Sequence, residues 1–396
     1  MEILYISTLS SKRLIDEIFQ ATNDNPGFAV QKFSRNIGNG IIENGHKFIA
    51  FSNPPISSKY TKRIVYRPVN EVEDNIIYRY IPILNISILK HVFVVIYVFC
   101  FVLFWGLHRR NDKRIICDTL SISATVGALV ASKINKVKCC GVFTDIYGLI
   151  VGKGTSSPQM KKFAMSVTGW YSKMFTHYVL LTEDMNELVN PNRCPYIVME
   201  GLCTRSDLRQ KNTNIDSLQP KVILYAGGLE EEYGLKMLVD AFKLIDRRDV
   251  ELHIYGSGTY ADELISESLI DRRIKYKGVR PNREVLDAEH SATLLVNPRF
   301  TTADFTKYSF PSKNLEYMVS GTPLLTTRLP GMPKEYNDYV YLFEKETIES
   351  YSSVLNNLMN LDAETLRQKG VSAQNFVLQE KNNVKQTQRI IDLLQR

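Results

Sequence analysis

Apolar residues in this chain come in short runs of strand length, separated by stretches with helical spacing, and the alternation recurs along most of the sequence. Residues 2–7 suit a parallel strand covered on both faces. A polar loop through Asn23-Asp24-Asn25-Pro26-Gly27 follows, then an amphipathic helix over about 29–44. Gly45-His46 closes that helix, and residues 47–52 form the next strand. Strand, loop, helix, strand is the opening of a Rossmann-like unit. The same alternation predicts a strand at 114–118, a helix at 123–133 and strands at 137–144, 178–182 and 196–199. Residues 204–219 are polar, lack an apolar period and read as a linker. Beyond it the pattern restarts: strand 221–226, helix 234–245, strand 251–255, glycine turn 256–258 and strand 274–277. A short helix at 283–290, a strand at 293–297, a helix from Ser312 and a strand at 324–327 follow. Residues from Gln374 onward read as helix. The expectation is an α/β protein of two Rossmann-like domains, residues 1–203 and 221–375, joined by a linker at 204–220.

Two segments stand out against this background. Residues 91–107 are apolar on every side and are flanked by Lys90 and by His108-Arg109-Arg110. A membrane-spanning helix takes about 20 apolar residues, and this run falls slightly short. The strand–helix alternation resumes directly after it, so a span would split one sheet across a bilayer. A helix within the first domain is favoured, either as core or with one face in lipid; a span is the third reading. Residues 159–176 place Met160, Phe163, Met165, Trp170, Tyr171, Met174 and Phe175 among Lys161, Lys162 and Lys173. That is a membrane-surface pattern, and equally that of a helix packed on a sheet.

A length of 396 residues suits two domains, and 44% hydrophobic with 23% charged residues is a globular composition. The net charge of +7 favours anionic partners such as nucleotide diphosphates, lipid phosphates or an acidic membrane face. No basic stripe interleaved with aromatics suggests nucleic acid. Six cysteines show no CxxC spacing and read as reduced thiols rather than a zinc site. The N-terminus opens on a strand, not on a charged region followed by an apolar one, so a cytoplasmic location is expected.

Candidate chemistry concentrates at Tyr308-Ser309-Phe310-Pro311-Ser312-Lys313-Asn314-Leu315-Glu316, closed by Gly321-Thr322-Pro323. A helix starting here with Ser312 as cap offers unpaired backbone N–H groups and a cation, Lys313, to a phosphate. Glu316, one turn on, has the chemistry to accept hydrogen bonds from ribose hydroxyls. An ordinary capped helix with Glu316 facing solvent uses the same residues.

This stretch resembles the signature region of retaining glycosyltransferases with the GT-B architecture, specifically glycosyltransferase family 4 of the bacterial surface-polysaccharide type. Glu316 matches the second Glu of that family's paired motif, and Gly321 and Pro323 match its trailing turn. Tyr308 stands where the first Glu belongs. The run Tyr225-Ala226-Gly227-Gly228-Leu229 through Tyr233-Gly234 resembles a second family segment, with Gly228 in place of its Arg and Tyr233 in place of its Lys. Thr144-Asp145 stands where many relatives carry a His-Asp pair.

The resemblance implies two Rossmann-like domains facing each other across a cleft, with the terminal helix, residues 376–396, crossing back to the first domain. It implies transfer of a sugar, with retention, from a nucleotide-diphosphate sugar to a lipid-linked or polysaccharide acceptor, a polyprenyl-diphosphate-linked glycan being expected. The enzyme would work at the inner face of the cell membrane by peripheral contact, with no cofactor and no metal. Lys313, Glu316 and Asp145 would be catalytic, with Asp118 second to Asp145 and an N-cap the competing role of Asp145. The donor would meet Gly27, Gly227, Gly228, Gly256, Val279, Arg280, Arg299, Lys307, Tyr308, Phe310, Pro311 and Ser312. Glycines 27 and 256 equally suit plain turns. Because Tyr308, Gly228 and Thr144 each replace a family functional residue, a catalytically silent GT-B binding or scaffold subunit is the alternative.

Overall fold

The computed structural model describes residues 1–107, 112–146, 158–204, 208, 220–302 and 304–396. They divide into two compact units, Met1–Leu202 with Asn383–Arg396, and Cys203–Asn382.

In chain order the first unit runs β1 (Glu2–Ser7), α1 (Lys12–Thr22), α2 (Phe28–Glu43), β2 (Lys47–Ser52), β3 (Val65–Tyr66), β4 (Glu71–Glu73), β5 (Ile76–Tyr80) and β6 (Ile83–Leu84). It continues with α3 (Ser87–Leu107), β7 (Lys113–Asp118), α4 (Ile122–Asn135), β8 (Cys139–Phe143), α5 (Pro158–Tyr171), β9 (His177–Leu180), α6 (Met185–Val189) and β10 (Tyr196–Val198). The main sheet has the order β10-β9-β8-β7-β1-β2-β5-β4, parallel except for β4 against β5. All six residues of β1 are buried, as a central strand covered on both faces requires. Its one carboxylate, Glu2, is held by Lys47 at 2.9 Å and by the Trp105 indole N–H at 2.8 Å.

The structure adds to the sequence pattern and decides between its readings. Helix α1 was not foreseen: Ser11 caps it by accepting from the Leu14 amide, and Leu14, Ile15 and Ile18 are its buried face. Of the two readings of residues 159–176, Phe175 follows the packed one: it is core, with only 2% of its surface exposed and its ring edge-on to Phe143. Trp170 and Met165 of α5 are exposed. The flank at 108–110, the side chains of Met160, Lys161 and Phe163, and most of the 204–220 linker lie outside the described residues.

Helix α3 is long and apolar enough to cross a membrane by length and composition. Its inner side is nevertheless built into the first unit. Val94, Val98 and Val102 are buried, and Phe101 stacks on Phe51 of β2 at 4.1 Å. Asn135 of α4 donates to the Val102 and Leu103 carbonyls, both at 3.0 Å. Gly127 lets α4 approach so closely that a Cβ there would meet the Val95 carbonyl oxygen at 2.4 Å. The helix is therefore part of the domain.

The second unit runs β11 (Lys221–Ala226), α7 (Leu235–Lys243), β12 (Val250–Tyr255), α8 (Ala261–Ile270), β13 (Ile274–Gly278), α9 (Asn282–Ser291), β14 (Leu294–Asn297), α10 (Ser312–Ser320), β15 (Leu324–Thr326), β16 (Tyr341–Leu342), α11 (Ile348–Asn360) and α12 (Ala363–Glu380). Its sheet is parallel throughout, in the order β13-β12-β11-β14-β15-β16. The strand order reverses between β1 and β7 in one unit and between β11 and β14 in the other. In open α/β sheets ligands bind beyond the strand C-termini at such points.

The last helix, α13 (Asn383–Gln395), belongs to the first unit and packs on α2. Gly40 of α2 makes the approach possible, since a Cβ there would lie 2.4 Å from the Asn383 carbonyl oxygen. The Asn44 side-chain amide donates to the Val384 carbonyl and to Thr387 Oγ1, and Arg389 donates to the Val198 carbonyl at 3.0 Å.

Candidate active site

Helix α10 opens without a side-chain cap. Pro311, extended at φ −72° and ψ 102°, is the N-cap residue, and Ser312, expected in that role, is exposed in the first turn. Proline has no N–H to satisfy and its ring presets the chain for entry into the helix. The helix ends at Gly321, whose φ of 73° is the left-handed conformation that glycine adopts freely.

Between these ends α10 carries an ionic cluster. Lys313 Nζ lies 2.5 Å from Glu316 Oε1 and 3.6 Å from Oε1 of Glu289 on α9. Lys313 and Glu316 are half-buried, whereas Glu289 is fully buried and neither of its carboxyl oxygens has a hydrogen-bond partner. Burial, followed by the Glu316 charge, pushes the Glu289 carboxyl up to about 8. Burial opposes the charge on Lys313, but the two carboxyls outweigh it and raise its pKa. At neutral pH the cluster is thus a Lys313–Glu316 ion pair backed by a protonated Glu289. Sequence reasoning missed Glu289; Lys313, from a neighbouring helix, is what gives it meaning.

Two buried side chains fix α10 against the sheet. The Tyr317 hydroxyl donates to the Ala226 carbonyl at 3.1 Å and accepts from the Ala226 amide at 2.8 Å. This bolts the helix to the last residue of β11, immediately before Gly227-Gly228. The side-chain amide of Asn297, which ends β14, donates to the side-chain oxygen Oδ1 of Asn314 at 2.6 Å. Neither role was foreseen from the sequence.

The loops at the strand C-termini touch in series. Gly256, after β12, has φ 130°, and a Cβ there would strike the Gly227 carbonyl oxygen at 1.8 Å. Its requirement for glycine is thus structural. Gly228 is exposed, and a Cβ at this position would come 3.0 Å from the Tyr233 ring. The Arg299 guanidinium, after β14, lies over that same Tyr233 ring at 4.6 Å and over Phe305 at 5.5 Å. Burial lowers the Arg299 pKa, though far from where it would lose its charge. The structure thus stations a cation on the Tyr233 ring, which position 228 also approaches.

The remaining expected donor residues are less concentrated. Lys307 is exposed, its ammonium 5.1 Å from the Tyr308 ring. Phe310 is buried against Tyr336 at 5.4 Å, and Pro311 is buried too, so their side chains serve packing. Val279 is 72% exposed on the turn after the edge strand β13, where Arg280 bonds the Lys277 carbonyl at 2.9 Å and stands 3.7 Å from Glu284.

Gly27 and Asp145 belong to the first unit. Gly27 takes φ 83° where the chain enters α2, and its own carbonyl accepts from the Gln31 amide. Asp145 follows β8, and Asp118 ends the neighbouring β7. Burial pushes each carboxyl up to about 6, and the Asp145 charge adds to the shift at Asp118. The described helix α5 starts at Pro158, and residues 147–157, which bear on the alternative cap role of Asp145, lie outside the described residues. Among the described residues no cluster of His, Cys, Asp and Glu stands ready to hold a metal ion.

Residues 220–360 match the family model described as glycosyl transferases group 1. The chain is 24% identical over 174 residues to the amylovoran biosynthesis glycosyltransferase AmsK of Erwinia amylovora, a match covering 41% of this chain and 43% of that protein. HepE of Anabaena, solved in complex with UDP, superposes with a TM-score of 0.65 at 14% identity over 100% of both chains. Sucrose-phosphate synthase of Thermosynechococcus elongatus gives 0.66 at 12% identity, over 100% of this chain and 98% of that one. The fold is GT-B: two Rossmann-like units, as the strand patterning implied.

Proposed function

We propose that this protein is a glycosyltransferase that moves a sugar from a nucleotide-diphosphate donor to a polyprenyl-diphosphate-linked or polysaccharide acceptor, with retention, during assembly of a bacterial surface polysaccharide. The observation that carries the reading is the Lys313–Glu316 pair in the first turns of α10, fixed by Tyr317 to the end of β11. In this reading Glu316 accepts from the donor ribose hydroxyls. Lys313, released toward the ligand, and Arg299, held on Tyr233, neutralise the departing diphosphate while the acceptor hydroxyl attacks. Protein cations and the uncapped N-terminus of α10 carry the leaving-group charge, and no metal is assigned a part. Asp145 accepts from a sugar or acceptor hydroxyl. The turns at Gly227-Gly228, Gly256 and Val279-Arg280 bring backbone groups to the nucleotide. Uridine diphosphate is the first nucleotide to test, because HepE has been solved with it, and a role in polysaccharide assembly follows the likeness to AmsK. The work is placed at the cytoplasmic face of the cell membrane.

The test combines a thermal-shift screen of UDP-, GDP- and dTDP-sugars with donor turnover on lipid-linked acceptors. A ligand at a hundredfold excess over its dissociation constant stabilises the native state by about 2.7 kcal/mol. Stabilisation by one nucleotide sugar together with its consumption supports the reading. Binding without consumption on any acceptor would establish a silent scaffold, which the replacements Tyr308, Gly228 and Thr144 favour.

A further inference from the structure

The outer side of α3 presents one continuous apolar stripe. Leu89, Val92, Ile96, Cys100 and Leu107 are all exposed and recur at intervals of three, four or seven residues, which places them on one face of a helix. Ile96 is 56% and Leu107 61% exposed. At 1.5 Å per residue the stripe is about 27 Å long. Helix α4 runs alongside in the same direction, with His91 bonded to Ser123 near one end and Asn135 bonded to the Val102 and Leu103 carbonyls near the other. It adds exposed Val130 and Ile134. Soluble surfaces scatter such residues singly and rarely gather them.

The charges that α3 and α4 themselves carry have one sign. Neither α3 nor α4 contains an acidic residue. Exposed Lys90 stands near the start of α3, and exposed Lys133 and Lys136 stand at the end of α4. A second copy meeting this face through a two-fold axis would bring lysines toward lysines. Anionic headgroups are the complementary partner. The inner side of the same helix is packed on β2, β1 and α4 through Phe101, Trp105 and Gly127, which favours a helix lying on the bilayer over one crossing it.

We propose that the outer face of α3, with the edge of α4, is a docking surface for an anionic lipid bilayer, on which α3 lies flat with Leu89, Val92, Ile96 and Leu107 in the acyl boundary and Lys90, Lys133 and Lys136 among the headgroups. The helix binds as a monotopic element already folded into its domain, so ordering it costs nothing on docking. The proposal concerns binding alone and holds whether or not the protein transfers sugar.

Flotation of the full chain with vesicles provides the test, using phosphatidylcholine alone and phosphatidylcholine with 30 mol% phosphatidylglycerol (a fraction of roughly the order of cell anionic lipid). The wild type should float with the anionic vesicles and less with the neutral ones, and binding should weaken as salt rises. Ile96→Ser with Leu107→Ser should lower the partition coefficient at least about tenfold, each change removing apolar area from the boundary. Lys133→Glu with Lys136→Glu should abolish the preference for anionic vesicles while leaving the residual neutral binding. Val92→Ser with Val130→Ser provides a second apolar pair, should the first fail to give a wild-type melting curve. Absence of wild-type flotation with either vesicle overturns the proposal. So does a concentration-dependent dimer that Ile96→Ser with Leu107→Ser dissolves, which would make the face an interface between copies. Nucleotide-sugar binding by thermal shift, measured without lipid, reads the transferase assignment separately.

Discussion

Lys313 Nζ stands 3.6 Å from a carboxyl oxygen of Glu289, a residue with no exposed surface and no hydrogen bond to that carboxyl. The ammonium is thereby set between a neutral acid behind it and the Glu316 carboxylate in front. Glu289 has a folded pKa of about 8 against an ordinary value of 4.5. A raised value means that the folded state holds the proton more tightly. The favourable contribution of this group is complete below about pH 4.5 and is lost as pH rises through about 8. Glu289→Gln, which keeps the neutral shape, should flatten that loss and raise the melting temperature at pH 8.5, with little change at pH 5. A domain of this size moves about 2–4 °C per kcal/mol. Differential scanning fluorimetry across pH 5–9 reads it, and equal pH slopes in both proteins would show that Glu289 does not titrate in this window.

Glu316→Gln should weaken nucleotide-sugar binding without unfolding the protein. Loss of a hydrogen bond to a charged group costs about 1.5–3 kcal/mol, or roughly 10- to 150-fold in affinity. Isothermal titration with the nucleotide sugar found by screening measures this directly. A folded variant with unaltered binding removes Glu316 from the ribose site.

Charge on the diphosphate grows as the glycosidic bond breaks, so a cation there helps the transition state more than the bound donor. Lys313→Ala should therefore lower kcat by about a hundredfold or more while raising KM less. Arg299→Ala should act in the same direction. Because position 228 abuts the ring on which Arg299 rests, Gly228→Arg in the wild type would press a second cation against the first and should not raise activity. In the Arg299→Ala background it should recover part of the lost rate. Steady-state kinetics of the single and double variants decide, and full additivity of the two changes would mean that the positions serve different groups.

Burial raises the Asp145 carboxyl to about 6. If the carboxylate is what accepts from a substrate hydroxyl, kcat/KM should fall as pH drops through about 6. Asp145→Asn should give a low and flat profile over that range. A wild-type limb that survives in Asp145→Asn would move the titrating group to its neighbour Asp118, which has a similar value.

The central strands of both sheets were legible because buried parallel strands read as continuous apolar runs; β1, β2, β11 and β14 show this directly, whereas the outer strands β4, β5 and β16 were not read. What escaped lacks that signal. Helix α1 buries only Leu14, Ile15 and Ile18 beneath charged neighbours, and α8 buries only Leu264 while exposing Ile265, Leu269 and Ile270, so its apolar residues do not mark a face. The antiparallel pair β3 and β6 has two residues a side, too few to show a period.

At the site, local pattern placed Lys313 and Glu316 on a helix start. It also assigned a cap to Ser312, which the structure corrects, because Pro311 already ends the extended segment and is the N-cap residue. The clamp of Tyr317 on Ala226 spans 91 positions of sequence, a separation at which no local pattern gives notice of a hydrogen bond.

Helix α13 completes the first unit, yet it follows the whole of the second in the chain. Domains generally fold as they emerge from the ribosome, the N-terminal one first. Here that order is broken. The second unit has all its residues once position 382 is made, while Ile37 and Ile41 of the first still await Ile390, Leu393 and Leu394, with which they share one apolar cluster. A chain stopped at 382 should therefore yield a folded C-terminal half carrying an aggregation-prone N-terminal one. Helix α13 thus acts as a checkpoint on helices and strands made long before it.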